Sequence, residues 1–176
     1  MTMRGLWVPV LAALLVAALV GPAGGVVTAA EPRLITRTIT IPAGAFSAAT
    51  DNIDFINYGS ELWTQSGGGN FVAPLFFEAP RVTIKKITLY GYDNGGSNIC
   101  LILYRTTPTS GGQQIMGEAC STGASSTYSR EFTLTALTPR VITGGYGPYL
   151  MLNLPGSSVS YAFFGVRITY TYESGA

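Results

Sequence analysis

Four aromatic residues, Tyr58, Trp63, Tyr90 and Tyr92, have the types and spacing best suited to hold a ligand. Tyr90 and Tyr92 are two apart, so on a strand they share one face. Rings on such a face can stack against sugars, although strand aromatics more often fill cores or pair across strands. Asp51-Asn52-Ile53-Asp54, with Glu61 nearby and Asp93-Asn94 further on, offers oxygen ligands of the kind Ca²⁺ takes. The segment lacks the glycine and terminal bidentate glutamate of an EF-hand loop, and Asp and Asn are ordinary turn formers. Turn chemistry is therefore the expected use of Asp51, Asp54 and Asp93, and no metal or cofactor is expected. Paired carboxylates can hydrolyse glycosides, but none of the nine acids stands in such a context. No G-x-S-x-G nucleophile motif occurs.

The sequence has no histidine, which removes the commonest general base, the commonest metal ligand and the usual partner of a Ser or Cys nucleophile. Charged residues make up only 11% of the chain, against about 25% in ordinary soluble domains. Lys85-Lys86 is the one adjacent basic pair. A nucleic-acid binder needs a basic face and a membrane-surface binder needs clustered Lys and Arg, so neither is expected. A neutral, aromatic-rich surface is instead poorly protected against self-association.

Secondary structure and processing have to position these groups. Arg4, the apolar run Leu6 to Val20 and the small residues up to Ala29-Ala30 form a cleavable secretory signal over 1–30. The run is shorter than the roughly 20 residues needed to span a bilayer. Cleavage after Val27-Thr28-Ala29 or Thr28-Ala29-Ala30 leaves a secreted, extracellular or cell-surface chain that begins at Ala30 or Glu31, with residues 31–176 the size of one domain. In that compartment the two cysteines, Cys100 and Cys120, are expected to form a disulfide. Both are equidistant from Ser110, so an in-register hairpin brings them face to face.

Period-2 alternation recurs throughout. Phe164, Val166, Ile168, Tyr170 and Tyr172 share one parity, as do Tyr128, Phe132 and Leu134, and as do Leu150, Leu152 and Leu154. Ile99 to Tyr104 is apolar on both faces, as in a central strand. Val82 and Ile84 are out of phase with Ile87 and Leu89, which predicts a bulge or an edge at Lys85-Lys86. Glycine- and proline-rich turns separate some eight to ten strands, predicting an all-β, antiparallel two-sheet β-sandwich of jelly-roll type.

Phe71-Val72-Ala73-Pro74, Ile87 to Asn94 with Leu101 to Arg105, and Gly165 to Tyr170 together resemble a loose group of secreted bacterial β-sandwich proteins with no assigned activity. That resemblance implies the fold and no function. The sequence points to a non-enzymatic structural or adhesive protein of the cell surface or extracellular matrix, with itself or an extracellular polysaccharide as partner. Residues 33–41 are either an ordinary first strand or a donor strand completing a neighbour's sheet. The alternative role is that of a carbohydrate-binding module.

Overall fold

Alternating apolar and polar residues between turn-forming clusters make strands of most of the chain. The computed structural model describes residues 31–121, 130–134, 136–156 and 160–174. The expected signal (1–30) and the strand residues expected at Tyr128, Ser129 and Thr135 lie outside them. Within the compact unit Pro32–Ala176 the strands are β1 (Arg33–Pro42), β2 (Ser47–Ala48), β3 (Phe55–Asn57), β4 (Leu62–Thr64), β5 (Gly69–Pro74), β6 (Arg81–Asp93), β7 (Cys100–Thr107), β8 (Gly112–Cys120), β9 (Arg130–Leu134), β10 (Val141–Thr143), β11 (Gly147–Leu154) and β12 (Tyr161–Ser174). These outnumber the eight to ten expected, because β2, β3 and β4 are too short to display a period.

The strands form two antiparallel sheets, a β-sandwich. One sheet runs β2-β5-β11-β7-β8. The other has seven strands in the order β10-β6-β12-β4-β3, with β9 also beside β6 and β1 beside β12. The long strands β6 and β12 each carry two shorter strands along one edge. Phe71, Leu101, Leu103, Leu150 and Leu152 from one sheet, and Leu62, Ile84, Ile87, Leu89, Phe163 and Ile168 from the other, are sealed in the core. Residues 33–41, left open between first strand and donor strand, lie in β1 and pair with β12 of the same chain.

Two register shifts between β6 and β12 decide which side chains of these strands point inward. Lys85 has no opposite residue, since Ile84 faces Tyr170 and Lys86 faces Thr169, so the expected bulge is there and both lysines reach solvent. A second shift falls between Phe163 and Gly165. It places Phe163 in the core with Val166 and Ile168, whereas the sequence parity predicted Phe164. Gly165 makes this bend possible. Its φ is +153°, and a Cβ there would sit 2.7 Å from the backbone oxygen of Ile41. Gly165→Ala should therefore lower stability by about 1–3 kcal/mol in urea unfolding. A change within about 0.5 kcal/mol would mean the bend relaxes freely.

The disulfide is as expected. Cys100 and Cys120 face each other across the β7–β8 hairpin and are bonded, with Cα atoms 4.1 Å apart. The outward side of β7 is not covered as a central strand's would be. Ile102 and Tyr104 are half-buried beside Met151 and Tyr149, with Tyr104 and Tyr149 stacked in parallel at 5.0 Å. Burial, then the neighbouring Tyr104, pushes the Tyr149 hydroxyl pKa up.

Candidate functional site

The four aromatics singled out in the sequence gather on the outer face of the seven-stranded sheet. In β6, Leu89 and Asp93 point inward and are sealed, so Tyr90 and Tyr92 between them point outward and are half-buried. In β4, Leu62 and Thr64 are sealed and Trp63 points outward. Leu62 faces Phe163 of β12, so one step along the antiparallel pair Trp63 lies beside Ala162. Ala162 in turn faces Tyr92. The result is a row, Trp63–Ala162–Tyr92, in which the buried methyl of Ala162 separates two half-buried aromatic residues two strands apart, about 9–10 Å.

Tyr58 comes to this row from the β3–β4 hairpin. Asn57 locks that turn: its side-chain amide donates to the carbonyls of Ala43 and Phe46, each at 3.2 Å, and its oxygen accepts from the Gly59 N–H at 2.9 Å. Gly59 has φ +85°, a conformation that side chains disfavour. Tyr58 is 67% exposed and meets Trp63 edge-on at 5.4 Å. Tyr90 lies opposite Gly165, and the Arg167 guanidinium sits 5.4 Å from its ring centre. Beyond it the face carries hydroxyls. Thr40, Arg167, Thr88 and Thr133 form one row, in which Thr88 is sealed with its hydroxyl 3.4 Å from that of Thr133, and Thr38, Thr169 and Lys86 form the next.

Ala162 and Arg167 were not foreseen in the sequence. Ala162 gave no signal, because an alanine in a strand matters only once its neighbours across the sheet are known. Arg167 stood in the polar phase of the C-terminal alternation, which marks a surface but not a ring beneath it.

The acidic residues do not converge. Asp51 and Asp54 are exposed, with Thr50 donating to Asn52 at 2.6 Å in the same turn. Asp93 is sealed and fully engaged: one oxygen accepts from the Gly95 N–H at 3.1 Å and the other from the Ser121 hydroxyl. Among the described residues, the one close group of three metal-ligating side chains is Cys100, Glu118 and Cys120, whose sulfurs are spent on the disulfide.

No protein-family model matches the chain. No match is found among the curated proteins either. Among solved structures, the chain is similar to the CBM36-1 domain of a multidomain xylanase from the hindgut metagenome of Trinervitermes trinervoides. The two are 12% identical, with a TM-score of 0.45 over 80% of this chain and all of that domain. It is also similar to the C-terminal CBM6 of a marine laminarinase from Zobellia galactanivorans, at 12% identity and a TM-score of 0.48 over 76% of this chain and 99% of that one. A third is a CBM36 carbohydrate-binding module solved with calcium and xylotriose, at 12% identity and a TM-score of 0.41, covering 77% of this chain and 99% of that module. Likeness this distant transfers no ligand and no residue role.

Proposed function

We propose that this chain is an exported, non-enzymatic carbohydrate-binding protein that holds an extended polysaccharide on the outer face of its seven-stranded sheet. The observation that carries this is the row Trp63–Ala162–Tyr92 with Tyr58 against Trp63. Two rings with a small residue between them form a shallow apolar platform close to the length of a disaccharide. The pyranose C–H faces stack on the rings while sugar hydroxyls face water and the threonine rows. Binding of this kind needs no metal, no titrating group and little charge, which suits a chain without histidine. Sugar binding is the better supported of the two roles expected from the sequence. An adhesive or matrix role would be one use of the same face.

The test is retention on insoluble polysaccharides, with a fluorescence titration by soluble oligosaccharides. Trp7 belongs to the expected signal, so Trp63 reports alone in the exported chain. Trp63→Ala and Tyr92→Ala should each weaken binding about 10-fold or more, the loss of roughly 1.4 kcal/mol of stacking. Melting temperature should hold to within a few degrees. Retention unchanged in both variants would reject this face as the site.

A further inference from the structure

The longest open edge among the described residues belongs to β1. It pairs with β12 along all ten of its residues and with no other strand. Natural edges are blunted by lysine, proline, bulges, inward charges or a covering element. β1 has no lysine, its proline is its last residue, and its register with β12 runs unbroken from Arg33 opposite Ser174 to Pro42 opposite Gly165. Its one mid-strand charge, Arg37, has the core-facing parity of Ile35, Ile39 and Ile41 and so is an inward charge of that kind, but Glu78 at 3.3 Å neutralises it. Apolar groups flank the edge. Leu34 is 62% exposed near its start, and Phe76, 81% exposed, lines a groove with Ile39, Ile41, Pro74 and Leu75 near its end.

The edge is also self-complementary. Ile35-Thr36-Arg37-Thr38-Ile39 reads the same in both directions about Arg37. We propose that two copies of this chain join antiparallel through β1, with Arg37 on the two-fold axis, extending one sheet through both. That register sets Ile35 against Ile39 of the second copy and Thr36 against Thr38. These are pairs β1 already makes with β12, where Ile39 faces Ile168 and Thr38 meets Thr169 with hydroxyls 3.3 Å apart. Thr–Thr and β-branched pairs are among the favourable cross-strand contacts. The two arginines at the axis do not stand alone, since each brings its Glu78, and two guanidiniums alternate there with two carboxylates.

An axis relating antiparallel strands stands perpendicular to their sheet, so the outer faces of both copies lie on the same side. The dimer does not depend on the sugar reading. If both hold, the two aromatic rows can engage one polysaccharide surface together, and retention exceeds that of a single site by avidity.

The experiment is sedimentation velocity on the purified exported chain across the micromolar range. The wild type should show a concentration-dependent monomer–dimer equilibrium. Thr36→Lys/Thr38→Lys and Thr36→Glu/Thr38→Glu place like charges opposite each other in the proposed register, and each should be monomeric. Mixing them should restore a dimer, because Lys at 36 then faces Glu at 38 of the other copy. Hydrogen exchange needs no variant, and the amides of β1 should gain protection as wild-type concentration rises. A wild type that stays monomeric, a dimer indifferent to both charge variants, a mixture that fails to pair, or β1 exchange independent of concentration would each overturn the proposal.

Discussion

Phe163→Ala should cost the fold about 3–5 kcal/mol and take the aromatic row proposed to bind sugar with it. Phe163 is sealed from solvent and meets Phe46 edge-on at 4.7 Å. It is also the β12 residue directly opposite Leu62, the register point at which the β3–β4 hairpin joins the sheet. Removing its ring opens a cavity where β12, β4 and the turn at Ala43–Ala45 converge. At about 2–4 °C per kcal/mol for a domain of this size, the melting temperature should fall by roughly 6–20 °C. Sugar retention should fall further than in Trp63→Ala, because both Trp63 and Tyr58 lose their support. The control is Phe164→Ala, one residue along, which sequence parity alone would name as the core position. It should cost less than about 2 kcal/mol, since Phe164 is only half-buried. Equal losses for the two would contradict the register shift at Gly165.

That contrast marks how far the sequence could be read. Alternation was reliable wherever a strand kept its phase: Leu150, Leu152 and Leu154 point inward together, and so do Val166, Ile168 and Tyr170. It failed at the Gly165 bend, because an extra residue flips every side chain on one flank. The bulge at Lys85 was legible for the converse reason, with apolar residues on both sides showing the phase change directly. The aromatic site was half legible. Tyr90 and Tyr92 share a face by parity alone, whereas their meeting with Trp63 depends on β12 lying between β6 and β4, a non-local pairing with no local signature. Asp93 looked like Asp51 and Asp54 as a sequence feature. Only the fold seals it against Ser121 and the Gly95 amide.

Chain produced in an oxidising compartment should hold no titratable thiol, and Cys100→Ser/Cys120→Ser should lose about 3 kcal/mol, on the loop-entropy value for a closed loop of some twenty residues. The register makes this more than a statement about spacing. Near the turn the hairpin pairs Thr107 with Gly112 and Tyr104 with Ile115, a register that would set Cys100 against Ala119 if it continued. Met116 is the inserted residue. It turns into the core while Leu103 pairs with Gly117, and the shift brings Cys120 back opposite Cys100 on the outer face. The equal spacing from Ser110 therefore gave the correct pair through a turn that is not centred there. Reduction should loosen the β7–β8 end beyond Met116, where Ile99 and Ser121 exchange two hydrogen bonds of 2.8 and 2.9 Å and the Ser121 hydroxyl donates to Asp93 at the end of β6. Hydrogen exchange on reduced protein should show the Ile99 and Ser121 amides losing protection first, while those of the Tyr104–Gln114 segment stay protected by the turn. Uniform loss along both strands would show that the bond stabilises only through the unfolded chain. Two reactive thiols in material made under oxidising conditions would show that it does not form.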